Sequence, residues 1–356
     1  MIDFLIIGGG MAGTSTAARI APLGKTVVLE MELALGYHAS GRSAALYEAQ
    51  YGEPASVALN LAGRAFFDEH DLLSPRGFMV LAPHDDRAGF DAASATFGCQ
   101  ELSFDEASAI VPVLNPEHIG HVGLSTGALD IDTDRMLQIF AKMTRAKGGE
   151  IRTGQKVTSI TRTPTSWQVT TATEVYEAKA LINAAGAWAD EIAKLAGITP
   201  IGITPKRRSM ARIPAPGGHD ISGWPMLMDV HERWYAKPDA GKLIVSPAEE
   251  DPLPPQDAWA DDMVLAEGIA RYQPFVTEEV TRVESSWAGL RSFAPDKNLV
   301  IGPSHEDACF FWMAGQGGSG IQSAPGYSQF AADLIAGRTP FLPEITPAIT
   351  AERFRP

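Results

Sequence analysis

Three glycines between a short apolar strand and a helix constrain the fold of this 356-residue chain more than any other feature. Gly8, Gly10 and Gly13 form the pattern G-x-G-x-x-G, after an apolar strand expected over 3–7 and at the start of a helix expected over 11–23. The first glycine allows a tight turn, the second lets the backbone approach a pyrophosphate, and the third lets helix and strand pack closely. The pattern predicts a Rossmann-type βαβ unit that binds a dinucleotide at the helix N-terminus.

The second strand of this unit, expected over 25–30, ends in an acid. Glu30 follows Gly10 at about the spacing at which a carboxylate can hydrogen-bond ribose hydroxyls and repel a 2′-phosphate. Met31 supplies no basic side chain that would offset this repulsion. The glycine pattern alone also occurs in ordinary turns, but with the strand, the helix and the acid it favours NAD or FAD over NADP.

Strand and helix signals of the same kind return in the middle of the chain and near its C-terminus. The central signals are a helix capped at 132–133, a strand at 150–152, a hairpin at 167–171 and 175–178, a strand at 180–183 and a helix at 188–195. The C-terminal signals are strands at 299–301 and 310–313, a glycine-rich segment at 315–320 and a helix reaching Ile335. This interleaving predicts an α/β fold with a discontinuous nucleotide-binding domain and an inserted second domain.

Charge and composition exclude several other classes of protein. The chain carries 43 acidic and 29 basic residues, a net charge of -14, which argues against a nucleic-acid-binding protein. Its two cysteines, Cys99 and Cys309, suit neither a disulfide framework nor a zinc site, and we expect buried thiols in a cytoplasmic protein. No apolar stretch reaches the roughly 18 residues that a membrane helix needs, which leaves only peripheral membrane contact open.

We expect no metal site. Asp130, Asp132 and Asp134 resemble the start of a calcium loop, but Arg135 occupies the position that requires glycine. These acids are better explained by helix capping. His118 and His121 have no companion cysteines or acids at metal-binding spacing, so they are expected in a solvated loop.

The segment 36–45, which follows Glu30, distinguishes FAD from NAD. Its sequence, GYHASGRSAA, resembles the D-amino-acid oxidase-like flavoenzymes of the glutathione-reductase-2 type, and most closely D-arginine dehydrogenase and its relatives. Further matching segments follow in the same order at 72–76, 130–134, 183–188, 205–209, 224–227, 235–241, 287–293 and 316–322. The resemblance therefore covers nearly the whole chain.

This resemblance implies a Rossmann-like FAD-binding domain with an inserted mixed-sheet substrate domain, and hydride transfer from a substrate Cα–H to flavin N5. The expected FAD-binding domain comprises residues 1–50, 130–200 and 290–356, and the expected substrate-binding domain comprises 51–129 and 201–289. Some relatives attach the flavin to a cysteine near the segment 289–291, which has none here, so we expect non-covalent FAD. The expected cofactor contacts are Gly8, Gly10, Ala12, Gly13, Glu30, Met31, Ala39, Ser40, Gly41, Arg42, Ser43, Ala44, Ala45, Val157, Ala185, Gly317, Gly318, Ser319, Gly320, Ile321 and Gln322.

An α-amino acid needs a partner for its carboxylate, and arginine suits it because the planar guanidinium can donate two parallel hydrogen bonds. Arg291 matches the carboxylate-binding arginine of the family, and Arg208 matches a second substrate-site arginine. Adjacent strand residues point to opposite faces, so only one of Arg207 and Arg208 should reach the pocket. The alternatives are a surface ion pair for either of these two matching arginines, and a core position for either of the matching tyrosines, Tyr51 and Tyr235. The residues implied at the reacting centre are Tyr51, Arg208, Tyr235, Arg291 and Gly318.

Departures from the family pattern bear on the substrate side chain. Phe78 stands where the family has a guanidinium-binding acid, which speaks against D-arginine as the best substrate. Leu46 replaces a pocket histidine, and Met228 adds to an apolar wall. Glu48 would restore a preference for cations if it faced the pocket and is neutral to the argument if it faces solvent. The expected pocket residues are Leu46, Glu48, Phe78, Met226 and Met228.

The leading hypothesis is an FAD-dependent D-amino acid dehydrogenase or oxidase that forms an imine and then a 2-oxo acid and ammonia. An apolar or aromatic side chain is favoured because an unpaired acid in an apolar pocket is costly. The alternatives are oxidation of an N-substituted glycine, an imino acid or a 2-hydroxy acid, and a non-catalytic flavin-binding subunit. Either oxygen or a quinone would serve as electron acceptor.

Overall fold

Two large β-sheets and one small one organise the computed structural model of the chain, which describes residues 1–355. The strands, numbered in chain order, are β1 (Ile2–Ile7), β2 (Thr26–Leu29), β3 (Leu46–Tyr47), β4 (Leu73–Pro75), β5 (Phe78–Pro83), β6 (Gln100–Leu102), β7 (Ile119–Ser125), β8 (Leu129–Ile131), β9 (Glu150–Arg152), β10 (Val157–Arg162), β11 (Trp167–Thr171), β12 (Val175–Asn183), β13 (Thr204–Ile213), β14 (Met226–Asp229), β15 (Tyr235–Asp239), β16 (Lys242–Ser246), β17 (Ser285–Phe293), β18 (Val300–Pro303) and β19 (Phe310–Ala314). The α-helices are α1 (Met11–Ile20), α2 (Pro54–Glu69), α3 (Arg87–Phe97), α4 (Phe104–Ile110), α5 (Thr133–Ala146), α6 (Ala189–Leu195), α7 (Asp262–Tyr272), α8 (Ala324–Ile335) and α9 (Thr346–Ile349).

The first sheet is the nucleotide-binding sheet that the glycine pattern predicts. Its main order is β10-β11-β12-β1-β2-β9, with β19 paired to β12 and β18 paired to β19. β1 runs parallel to both β2 and β12, with Ile7 level with Leu29 on one side and Asn183 on the other. Helix α1 packs against α5 and α8 beside this sheet. The strands β1, β2, β12 and β19 therefore end together at one edge, where open parallel sheets bind ligands.

The second sheet is mixed, with the order β17-β13-β16-β15-β14-β5-β7-β6. β14 and β5 are parallel, and the other neighbours are antiparallel. A small sheet, β3-β8-β4, lies apart from both large sheets. This topology confirms the predicted Rossmann-like fold with an inserted mixed sheet. The predicted domain boundary at 289/290 falls inside β17, all of which belongs to the second sheet.

One strand differs from the sequence prediction in a way that has a physical cause. The segments 175–178 and 180–183 are not two strands but the two halves of β12. The first half alternates between exposed and buried residues and is antiparallel to β11. The second half is buried from Leu181 to Asn183, where it runs parallel to β1 on one side and β19 on the other. The change of the hydrophobic pattern within this one strand therefore resembles a boundary between two strands.

The three aspartates that imitate a calcium loop have different roles, and His121 lies in β7 rather than in the expected solvated loop. Asp132 caps α5 by accepting a hydrogen bond from the Arg135 N–H at 3.0 Å. Asp130 instead forms an ion pair with Arg76 at 2.6 Å. Within residues 1–355, no group of three His, Cys, Asp or Glu side chains is arranged to hold a metal ion. No helix in this part of the chain is both long and apolar enough to cross a bilayer.

Candidate active site

A cavity of about 360 Å³ opens where β1, β2 and β12 end. Its wall includes Ile7 and Leu29 at the ends of two strands, and Ala184 directly after the third. It contains most of the residues that the sequence assigned to the cofactor. These are Gly8, Gly10, Ala12, Glu30, Met31, Ala39, Ser40, Arg42, Ser43, Val157, Ala185, Gly317, Gly318, Gly320 and Ile321.

The remaining predicted cofactor residues lie outside this wall. Ala44, Ala45 and Gln322 line a neighbouring cavity instead, and Gly13, Gly41 and Ser319 line neither. A methyl group on Gly13 would lie 1.9 Å from the Gly8 carbonyl oxygen, so this glycine permits the close approach of α1 to the turn. A methyl group on Gly41 would lie 2.5 Å from the carbonyl oxygen of Gly36, which is again a packing restriction.

The glycine turn has the geometry that its sequence predicts. Gly8 adopts a φ of +113°, and a side chain there would meet the Ala184 carbonyl oxygen at 2.3 Å. Helix α1 begins after Gly10, which has no side chain that could cap the helix. The Met11 N–H donates to the Ser40 hydroxyl at 2.9 Å. The N-terminus of α1 and its partial positive charge therefore face the cavity, as phosphate binding requires.

Glu30 faces the same cavity but is already engaged by the backbone. Its carboxylate accepts hydrogen bonds from the N–H groups of Gly9 at 2.6 Å and Glu32 at 2.8 Å. Burial raises the pKa of Glu30, and these two hydrogen bonds oppose that shift. Each oxygen accepts one bond and retains capacity for a second, so a ribose hydroxyl can still bind there.

The opposite side of the cavity fits the ring end of FAD. The Gln316 amide nitrogen is buried there without a hydrogen-bond partner in the described residues, and it belongs to the glycine-rich turn before α8. A buried, unpaired donor is costly unless a ligand supplies an acceptor. Flavin carbonyl and ring nitrogen atoms are such acceptors. Neither Cys99 nor Cys309 lines this cavity, so neither thiol is placed to attach a flavin there. Non-covalent binding of FAD stays a prediction.

A second cavity, of about 100 Å³, adjoins the first. Its wall contains all ten residues that the sequence placed at the reacting centre or in the substrate pocket: Tyr51, Arg208, Tyr235, Arg291, Gly318, Leu46, Glu48, Phe78, Met226 and Met228. The residues that line both cavities are Ser43, Arg208, Arg291, Gly318 and Ile321. We call these five residues the seam.

Arg291 is the most distinctive side chain of the seam. It lies on β17, and its Nη1 atom is buried with no hydrogen-bond partner in the part of the chain that the structure describes. A methyl group on Gly318 would lie 3.1 Å from this nitrogen and 3.1 Å from the Tyr51 hydroxyl oxygen. Burial opposes the charge, but Tyr51, Tyr235 and the Glu250 carboxylate together more than offset it, so the pKa of Arg291 lies above its ordinary value. A permanently charged, unsatisfied donor thus faces the space between the cavities.

Arg208 lies on the neighbouring strand β13 and already has protein partners. Its Nε donates to the Glu249 carbonyl oxygen at 2.9 Å, and its Nη2 contacts the Glu250 carboxylate at 3.3 Å. Arg207 lines neither cavity and pairs with Asp251 at 3.0 Å. The strand therefore points the two arginines in different directions, as predicted, and Arg208 is the one at the cavity.

Glu48, whose orientation the sequence left open, faces the second cavity. Glu48 is only 8% exposed, and its carboxylate accepts a hydrogen bond from the Gln50 N–H at 3.1 Å. Burial raises the pKa of Glu48, and this hydrogen bond opposes the shift.

Three residues of the second cavity escaped the sequence analysis: Phe97, Glu232 and Ala248. Phe97 ends α3 and reaches the pocket by packing against Phe78, with ring centroids 4.8 Å apart. Glu232 and Ala248 are non-glycine residues with positive φ angles, at turns next to strands. Nothing in the spacing of these residues signals a pocket, because only the second sheet brings them together.

Comparison with known proteins agrees with this geometry. Residues 3–334 match the family described as FAD dependent oxidoreductase. FAD-dependent oxidoreductase domain-containing protein 1 of Mus musculus is 25% identical, over 94% of this chain and 81% of the relative. Glycine oxidase of Bacillus licheniformis is 24% identical, over 99% and 97%.

Solved structures show the same fold. L-alpha-glycerophosphate oxidase from Mycoplasma pneumoniae, with FAD bound, aligns with a TM-score of 0.83 at 20% identity over 94% of each chain. L-proline dehydrogenase from P. horikoshii aligns with a TM-score of 0.81, also at 20% identity, over 96% of each chain. The family match spans nearly the whole chain, and the glycine turn and its cavity fit the cofactor. The chain therefore belongs to the FAD dependent oxidoreductase family.

Proposed function

We propose that this protein oxidises the C–N bond of a D-amino acid, giving an imine that water converts to a 2-oxo acid and ammonia. The observation that carries the proposal is the unpartnered Nη1 of Arg291 at the seam. A carboxylate bound there would satisfy the buried donor and neutralise a buried charge. The Tyr51 hydroxyl lies beside the same position and can donate a further hydrogen bond.

FAD bound in the first cavity supplies the hydride acceptor for this oxidation. The chain's own contribution is to hold the substrate so that its Cα lies at the seam, next to the first cavity. Arg291 and Tyr51 hold the carboxylate, and Gly318 leaves room beside them because it has no side chain. Arg208, with its partners Glu249 and Glu250, forms the other charged wall.

Apolar residues support the expectation of an apolar or aromatic side chain on the substrate. Phe78 and Met228 are buried in one cluster, and Leu46, Met226 and Tyr51 pack against it. Phe78 offers no charge to a cation at its position. The resemblance to D-arginine dehydrogenase accordingly supports the reaction and the carboxylate site more than it supports arginine as the substrate.

Oxidation of glycine or of an N-substituted glycine is the second candidate. The similarity to glycine oxidase over almost the full length of both chains favours it, and the second cavity is small. Both candidates use the same carboxylate site. They differ in what fills the apolar cluster around Phe78, which glycine would leave empty.

The test is anaerobic mixing of the FAD-loaded protein with a panel of substrates, following loss of the flavin absorbance. The panel contains D-amino acids of different side chains, their L-enantiomers, glycine, sarcosine, L-proline and 2-hydroxyglutarate. We expect D-amino acids to bleach the flavin and to release ammonia. Bleaching by glycine and sarcosine alone would favour the second candidate, and bleaching by 2-hydroxyglutarate alone would overturn C–N oxidation. A flavin that no compound bleaches would indicate a non-catalytic subunit. Readmission of air then separates an oxidase from a dehydrogenase.

A further inference from the structure

Glu48 is a buried carboxylate in the substrate cavity that the carboxylate-binding site does not use. It is 8% exposed, and its only hydrogen bond through the carboxylate in residues 1–355 comes from the Gln50 N–H. No Lys, Arg or His nitrogen of the described chain lies within ion-pair distance, 4.0 Å, of it. A buried carboxylate without a counter-ion is costly, and a cationic ligand would remove much of this cost.

The position of Glu48 indicates which part of a substrate it meets. The seam contains Arg291 and Gly318, whereas Glu48 lines only the second cavity. Because the reacting Cα and its attached amine must lie at the seam, beside the FAD cavity, Glu48 faces the side chain rather than the α-amine. Glu48 is also near Cys99, where burial and the charge of Glu48 raise the pKa of the thiol to about 11.

The surroundings of Glu48 combine apolar walls with negative charge. Cys99 packs in the same apolar cluster as Phe78 and Met228. Glu232, an exposed residue at a turn, also borders this cavity. Among residues 1–355, the cationic side chains that line the cavity are the two arginines of the seam. The cavity is thus lined by two arginines at the seam, by the Glu48 residue outside the seam, and by apolar residues.

We propose that Glu48 binds a positively charged group at the end of the substrate's side chain, so that the preferred substrates are amino acids with an apolar stem and a basic end. This inference rests on the proposed oxidation of amino acids. It changes the expected preference from a wholly apolar or aromatic side chain to one with a basic end. The apolar walls bind the stem of the substrate's side chain, and the Glu48 carboxylate selects the charged group at its end. Leucine- or phenylalanine-like side chains would leave Glu48 buried and unpaired.

D-Lysine and D-norleucine test this directly, because they share a four-carbon stem and differ in the terminal ammonium group. We expect the wild-type FAD-loaded protein to show the higher kcat/KM for D-lysine. Glu48→Gln keeps the shape of the side chain and an acceptor for the Gln50 N–H, and it should lower the D-lysine to D-norleucine ratio at least about tenfold. Equal ratios in wild type and variant would overturn the proposal. So would loss of the preference in Glu232→Gln but not in Glu48→Gln.

A binding measurement separates this inference from the reaction itself. 6-Aminohexanoate has the carboxylate and the terminal ammonium of lysine but no α-amine, and hexanoate lacks both amines. Calorimetry should show tighter binding of 6-aminohexanoate to the wild type and equal binding of the two to Glu48→Gln. Over the pH range in which the carboxylate of the ligand stays ionised, protonation of Glu48 should weaken 6-aminohexanoate binding to the wild type but not to Glu48→Gln. A preference for 6-aminohexanoate that survives Glu48→Gln would refute the role of Glu48, whereas a flavin that no amino acid reduces would refute the proposed function and the inference with it.

Discussion

Replacing Arg291 with alanine removes the proposed partner of the substrate carboxylate. The Nη1 atom has no hydrogen-bond partner in the described protein, so the change breaks no hydrogen bond at that atom. The bound substrate loses one side of a buried charge pair, which costs about 2–5 kcal/mol. At about 1.4 kcal/mol per factor of ten, kcat/KM should fall by about 30- to 4,000-fold.

Arg207→Ala is the matched control, because Arg207 is also a buried arginine, on the strand next to that of Arg291. Its side chain pairs with Asp251 and approaches Glu249, and it lines neither cavity. We expect Arg207→Ala to lower the melting temperature while retaining most of kcat/KM. Arg291→Ala should instead lower kcat/KM and change the melting temperature less. The assay is anaerobic stopped-flow reduction of the flavin over a range of substrate concentrations, with thermal unfolding of each variant. A kcat/KM for Arg291→Ala within about threefold of wild type would exclude it from transition-state binding.

Three further changes test other parts of the site. Gly13→Ala places a methyl group 1.9 Å from the Gly8 carbonyl oxygen, so we expect weaker FAD retention on gel filtration and a lower melting temperature; full retention would contradict the packing argument. Gly318→Ala crowds Arg291 Nη1 at 3.1 Å, so KM should rise while FAD remains bound, and an unchanged KM would show that the carboxylate binds elsewhere. Because burial raises the pKa of Glu48 in the folded state, its charge destabilises the protein as pH rises above the unfolded value. Glu48→Gln should therefore raise the melting temperature at neutral pH and much less at pH 4, and equal effects at both would contradict the shift.

Local signals in the sequence predicted the cofactor half of the molecule well. A glycine that must adopt a positive φ, as Gly8 does, or must lack a side chain, as Gly13 does, can be recognised from spacing alone. Buried parallel strands such as β1 and β2 can also be recognised from the sequence, because both of their faces are apolar. The prediction failed at β12, where one strand passes from a half-exposed to a fully buried position and its pattern changes midway.

The substrate half depended on contacts between distant segments. Resemblance to a family named Arg208 and Arg291, but only the pairing of β13 with β17 puts them beside one cavity. The orientation of Glu48 was open, since a two-residue strand and a following turn have no periodicity from which to infer a buried face. The sequence did not predict Phe97 as a pocket residue, because it reaches the pocket only through the packing of α3 on β5.

The chain's residues, taken in order, thus established a dinucleotide turn and its acid, because both rest on backbone geometry within a short segment. The resemblance of segment 36–45 and the later segments to a known family implied the FAD-binding fold. Which charged residues line the second cavity could be read only from the folded molecule. The unpaired nitrogen of Arg291 and the buried carboxylate of Glu48 acquire their meaning from what surrounds them, and those surroundings come from segments hundreds of residues apart. Burial and the absence of a partner are properties of packing, and no spacing along the chain records them.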